Sequence, residues 1–203
     1  MRLIAFALTA LVVAPATAGG LDNHYFEANY SLLSANRTTA TTRLTDAEGS
    51  RIGALARYQY SPAVDIAGGV GMIDLTDSGT ESSELHGEVG YRVKFNDATD
   101  LRFSAGMKQI RIDDNTAANI DQSESGMYGG LEARMALSPA LVAEGGINFS
   151  NGEALAGTEY YVGGTYQLTS GMQGILRYNN HSSNAGSGLD TDGVSFGIRM
   201  GLK

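Results

Sequence analysis

The chain has no cysteine and no tryptophan, three prolines in 203 residues, and only 18% Asp, Glu, Lys and Arg. Without cysteine no disulfide scaffold can form, and an oxidising compartment finds nothing to act on, which is compatible with export. After the first eighteen residues no stretch approaches the ~20 consecutive apolar residues of a membrane-spanning helix, which excludes a helical membrane protein. Basic charge is also short: 14 Lys and Arg stand against 22 Asp and Glu, a net of −8 that argues against nucleic acid as a partner. What the chain does have is 42% hydrophobic residues, 27 glycines and ten tyrosines. That mixture, with little proline, suits an all-β chain of many short strands.

The first eighteen residues stand apart. Met1-Arg2 carries positive charge, Leu3 to Ala14 is an apolar stretch broken only by Thr9, and Ala16-Thr17-Ala18 is a small-x-small cleavage site. This is the pattern of a secretory signal peptide over 1–18, leaving 19–203 as the mature domain. Its removal takes away Arg2 and no acid, so the mature chain is more acidic still.

Through the mature chain runs a period of two. Alternation divides it into ten segments, at 24–33, 51–60, 64–75, 84–95, 100–112, 125–137, 140–150, 158–168, 171–181 and 192–202. In the fourth, Leu85, Val89, Tyr91, Val93 and Phe95 share one face, while His86, Glu88, Gly90, Arg92 and Lys94 share the other. In the last, Val194, Phe196, Ile198, Met200 and Leu202 alternate with Ser195, Gly197, Arg199 and Gly201. A soluble sandwich would show the same alternation, so the connections must decide. They run long, short, long, short throughout: turns such as Ser61-Pro62-Ala63 and Ser138-Pro139 alternate with polar stretches such as 76–83. Segments near the 9–11 residues of a tilted spanning strand, tight turns at one end and longer loops at the other predict an up-and-down transmembrane β-barrel. Phe26, Tyr58, Tyr60, Phe95, Phe103, Phe149, Tyr160 and Tyr178 fall near strand ends on the apolar face, as an interfacial girdle requires.

On these segments the chain resembles the small ten-stranded outer-membrane β-barrel proteins of Gram-negative bacteria. The resemblance implies an outer-membrane location, short periplasmic turns and longer extracellular loops. It also implies contact with outer-membrane lipid and lipopolysaccharide, and insertion by the barrel assembly machinery. Phe196, Ile198, Met200 and Leu202 keep the terminal alternation of such barrels, although Lys203 rather than an aromatic residue ends the chain.

If the apolar face meets lipid, the other face lines the lumen. It carries the bases Arg57, Arg92, Lys94, Arg102, Lys108, Arg134, Arg177 and Arg199, the acids Glu27, Glu88, Glu132 and Glu144, and His86. Charges this numerous must be paired or hydrated. Two readings stay open. Arg–Glu pairs could cross-link the walls into a closed polar core. Alternatively, Gly53, Gly69, Gly71, Gly90, Gly106, Gly130, Gly146, Gly163 and Gly197 could leave space beside the bases for an anion-leaning aqueous thread that passes small solutes. The loop acids, among them Asp46, Glu48, Asp74, Asp77, Asp113, Asp114, Asp190 and Asp192, give a solvated rim or a surface for a ligand. Asp190-Thr191-Asp192-Gly193 begins like a calcium loop but lacks the later ligands, and no metal or cofactor is implied.

One run bears on catalysis. His181-Ser182-Ser183-Asn184-Ala185-Gly186 resembles the His-x-Ser-Asn-Ala-Gly motif of outer-membrane lipid A deacylases. That resemblance implies Ser183 as nucleophile, His181 as base and Asn184 at the oxyanion, with the orienting acid at a position held here by Ser195. A base without its acid is poorly oriented, so the expectation is a non-catalytic barrel, with a deacylase-like hydrolase as the alternative.

Overall fold

The protein is described by a computed structural model covering residues 24–38, 43–76, 80–114, 120–152, 156–184 and 189–202. The signal-peptide segment 1–18 and part of the His181–Gly186 run, Ala185 and Gly186, lie outside the described residues.

Ten strands follow one another: β1 (Tyr25–Thr38), β2 (Arg43–Gln59), β3 (Val64–Leu75), β4 (Thr80–Asn96), β5 (Thr99–Asp114), β6 (Ile120–Ala136), β7 (Leu141–Ser150), β8 (Gly157–Thr169), β9 (Met172–Ser183) and β10 (Leu189–Gly201). Each pairs antiparallel with its neighbour in sequence, and β1 closes on β10 from Tyr25↔Gly201 to Arg37↔Leu189. Both termini therefore meet at the end that carries the tight turns. One such turn is fixed by Ser61, whose hydroxyl accepts the Val64 amide, and another by Ser138 in the same way with Leu141.

The outer wall is apolar. Val70, Val89, Phe103, Met107, Met127, Met135, Val162 and Leu176 stand exposed on it, Met107 at 62%. A continuous apolar band of this kind needs a non-aqueous neighbour. Toward its ends stand exposed Tyr58, Tyr60, Phe95, Phe103, Phe149, Tyr160 and Tyr178, joined by Tyr91, Tyr166 and Phe196. Phe26 is half-buried. Closure of the sheet leaves no ladder hydrogen bond open along this band, the condition for a strand to meet lipid.

The predicted segments match the strands at the turn end to within a residue and, except for β3 and β7, stop short at the loop end. β2 begins at Arg43 rather than 51, β4 at Thr80 rather than 84, and β6 at Ile120 rather than 125. The cause is a change of polarity along strands that continue past it. Above Leu85, Met107 and Met127 the outward side chains become Glu81, Ser83, Gln109, Arg111, Ser123 and Ser125, all exposed. Inward positions there turn apolar on β1, β2, β3 and β5, where Ala35, Ala47 and Leu75 are buried together with Ile73 packed on them and Ile110 and Ile112 continue the row, while Ser82 of β4 and Glu124 of β6 stay polar. Water lies outside this upper section, so it has the inside-out pattern of the band below it. A reading that followed the apolar face met polar residues and ended the strand.

Candidate functional site

The lumen holds three successive layers. At the turn end every strand but β8 contributes to a web of charge. Asp65 of β3 accepts Arg102 through Nε at 2.9 Å and Nη2 at 2.6 Å, and Arg92 through Nη2 at 3.5 Å. Asp100 of β5 accepts Arg92 Nη1 at 2.9 Å and Arg134 Nη2 at 2.7 Å. Across the barrel, Arg57 of β2 makes a two-pronged contact with Glu132 of β6 at 3.0 and 3.3 Å. On the opposite side Glu27 of β1 and Glu144 of β7 share Arg177 and Arg199, with Arg199 Nη2 2.9 Å from Glu27 and 3.2 Å from Glu144.

Tyrosines join these groups. The Tyr161 hydroxyl of β8 donates to Glu132 at 2.9 Å while Arg177 lies over its ring, 5.4 Å from the centroid. The Tyr25 ring lies between Arg57 and Arg199, at 5.2 and 4.3 Å. Asp100 is 0% and Asp65 1% exposed, so the part of the web on β3–β6 is shut off from water.

Above the web lies a cavity of about 180 Å³. Its floor includes Glu88, which accepts the Tyr128 hydroxyl at 2.8 Å and pairs with Arg102 at 2.7 Å. Its walls carry Asn29, Asn148, Asn179, Glu159 and His181. Glu84 gathers three bases: Lys108 at 3.1 Å, Arg51 at 3.3 Å and His86 Nδ1 at 3.3 Å. Side-chain exposure rises to 18% at Lys108 and 27% at Arg51, so this level is wetter than the web. Above it sits the apolar section with Ala35, Ala47 and Leu75.

Of the sequence-expected lumen residues, Glu27, Arg57, Glu88, Arg92, Arg102, Glu132, Arg134, Glu144, Arg177 and Arg199 meet in the web or its roof, and His86 and Lys108 line the cavity. Lys94 does not join them. It is exposed at the turn-end rim, level with Asp100 and two residues before β4 ends. Sequence reasoning missed Asp65, Asp100, Arg51, Glu84 and Glu159. The signal that finds them is phase: Asp65 precedes Ala67 and Gly69, Asp100 precedes Arg102, and Glu84 precedes His86 on the same inward row. Asp65 and Asp100 lie beside turns, where an acid passes for solvated. With them included, lumenal acid balances lumenal base, and the anticipated excess of Arg and Lys disappears.

Several inward glycines lie under large side chains. A Cβ on Gly146 would come within 2.6 Å of Tyr161 Cε1, one on Gly69 within 2.5 Å of His86 Cε1, and one on Gly53 within 2.8 Å of Asn29. A Cβ on Gly90 or Gly130 would strike Arg102 or Asn148. Large side chains have been laid over these glycines and fill the space.

Comparison with known proteins decides the family. The family model for the outer membrane protein beta-barrel domain matches residues 4–167. The chain belongs to that family. No curated protein matches it. Among solved structures it is similar to the translocator domain of the autotransporter NalP from Neisseria meningitidis, with TM-score 0.51, 13% identity, 89% of this chain and 88% of that one. It is also similar to the outer membrane protease OmpT from Escherichia coli, at 0.51, 11%, 89% and 97%, and to the beta domain of the Bordetella autotransporter BrkA, at 0.50, 12%, 88% and 99%. At such identities the likeness is one of fold.

In an outer-membrane barrel the turn end faces the periplasm and the loop end the exterior. The charged web is thus periplasmic and the cavity lies on the extracellular side of it. The hydrolase-like residues point into the lumen: His181 lines the cavity and Ser183, two residues on, lies on the same face. The Ser183 hydroxyl donates to the Ala156 carbonyl at 3.4 Å, and its amide donates to the Asp190 carboxylate at 2.6 Å. Ser195, at the position of the missing acid, is buried; its hydroxyl is 2.7 Å from that of Ser31 and accepts the Asn179 amide.

Proposed function

We propose that this protein is a sealed, non-catalytic outer-membrane barrel with a structural and surface-interaction role, and does not serve as a pore. The observation that supports this is the periplasmic web, in which Arg and carboxylate side chains from facing walls meet across the full lumen with Asp65 and Asp100 buried. An ion crossing that layer would have to part several charge-assisted pairs at once. Lipid and lipopolysaccharide surround the apolar band, and the barrel assembly machinery inserts the chain. Planar-bilayer recording of the purified protein tests the reading: no stepwise conductance is expected, and reproducible single-channel steps would refute it.

The second reading, a lipid A deacylase, is disfavoured by direction. Acyl chains of lipid A meet the outer wall, whereas His181 and Ser183 face the lumen behind it. Purified protein should release no fatty acid from lipopolysaccharide. Release lost in both His181→Ala and Ser183→Ala would restore the enzymatic reading.

A further inference from the structure

The cavity above the web is lined by two unlike walls. One belongs to β2, β4 and β5, where Arg51 and Lys108 converge on Glu84 at 3.3 and 3.1 Å. Two bases meet one acid there, before any proton on His86 is counted. The Arg51 Nε is buried and has no hydrogen-bond acceptor among the described residues. An ammonium carries three N–H groups, and Glu84 is the one carboxylate paired with Lys108 among the described residues. This wall therefore holds donors and positive charge in excess.

The other wall is made by β7, β8 and β9. Asn148, Glu159 and His181 are direct cross-strand neighbours, in the register Asn148↔Glu159 and Glu159↔His181, and all three line the cavity. Among the described residues none of these side chains has a hydrogen-bond or ion-pair partner. Glu159 differs in this from Glu27, Glu84, Glu88, Glu132 and Glu144, each of which holds at least one base. A half-buried carboxylate without a partner is costly unless water or a ligand satisfies it. The two walls are within electrostatic reach of each other: Glu159 acts on Arg51, and Lys108 and Glu84 act on His181.

We infer that the cavity is a binding site for a small zwitterion, with its carboxylate toward Arg51 and Lys108 and its primary ammonium against Glu159 and the Asn148 side-chain oxygen. His181 offers a further ring nitrogen beside the ammonium. A molecule with only an anionic group satisfies the first wall and leaves Glu159 bare. A molecule with only a cationic group does the reverse and adds to the excess positive charge near Arg51. Opposite charges joined by a short chain answer both walls at once, and bidentate or charge-assisted bonds at each end fix the orientation. The inference does not rest on the sealed web: a conducting barrel would refute the proposed function and leave this site standing.

The test is calorimetric titration of the whole barrel in lipid nanodiscs. The probes are glycine, 3-aminopropanoate, 4-aminobutanoate and 5-aminopentanoate, in which the two charges stand progressively further apart. Butanoate and butylamine serve as single-charge controls. At least one zwitterion should bind about tenfold more tightly than either control. Glu159→Gln keeps the size of the side chain and breaks no ion pair, and it should weaken that binding by about tenfold or more. Binding by none of the four zwitterions, a control that equals the best of them, or undiminished binding to Glu159→Gln would overturn the inference. The comparison of zwitterion with controls is made on the unaltered chain, so it decides even if the variant fails to fold.

Discussion

Asp100→Asn is the sharpest probe of the periplasmic web. The side chain keeps its size and loses its charge, leaving Arg92 and Arg134, which Asp100 binds at 2.9 and 2.7 Å, to share more distant carboxylates. Those are Asp65 at 3.5 Å and Glu132 at 3.8 Å from Arg92, and Glu132 at 3.8 Å from Arg134. Removing one partner of a buried ion pair costs about 3–5 kcal/mol. With a denaturant slope of about 2 kcal/mol per molar in urea, the unfolding midpoint should fall by roughly 2 M. Urea titration of the refolded barrel in vesicles, followed by circular dichroism, measures it. The double variant Asp100→Asn with Arg134→Gln removes one charge of each sign and should recover part of the loss. A single variant within about 0.5 kcal/mol of the parent, the scale of an ordinary surface change, would show that the web carries no energetic weight.

Two further outcomes concern wall and orientation. An Arg at Val89 or Leu131 on the outer wall should cost about 2–4 kcal/mol at mid-membrane, whereas Ser104→Arg on the lumen side should spare assembly, and equal yields of all three in urea-resistant form would contradict the facing. Cysteines at Glu48 or Asp74 should react with an impermeant thiol reagent on whole cells while those at Ala63 or Ala98 stay unlabelled; the reverse pattern would invert the barrel.

How much of this was legible in the sequence depends on which solvent a residue meets. Within the lipid band the apolar phase of Val89, Tyr91, Phe103 and Met107 is unbroken, and it fixed strand number, order and facing. Above the band the outward side chains turn polar at Ser83, Gln109 and Ser125, so the same rule ended strands that in fact continue. For the lumen, sequence located the bases well because Arg57, Arg92 and Arg102 sit mid-strand among apolar neighbours. It undercounted the acids because Asp65 and Asp100 begin strands directly after turns, where acids are common in water. The covering of Gly146 by Tyr161 was not legible at all, since a glycine says only that space exists and not which side chain fills it.

The position of Glu27 has a consequence for how the chain enters the membrane. It sits on the first strand, yet its partners Arg177 and Arg199 belong to the ninth and last. A chain inserted without its last two strands would expose an open sheet edge and also carry a stranded carboxylate in a half-formed interior. The ends of the sequence thus neutralise one another only when the ring closes. Loss of β10 should therefore yield no stable partial barrel.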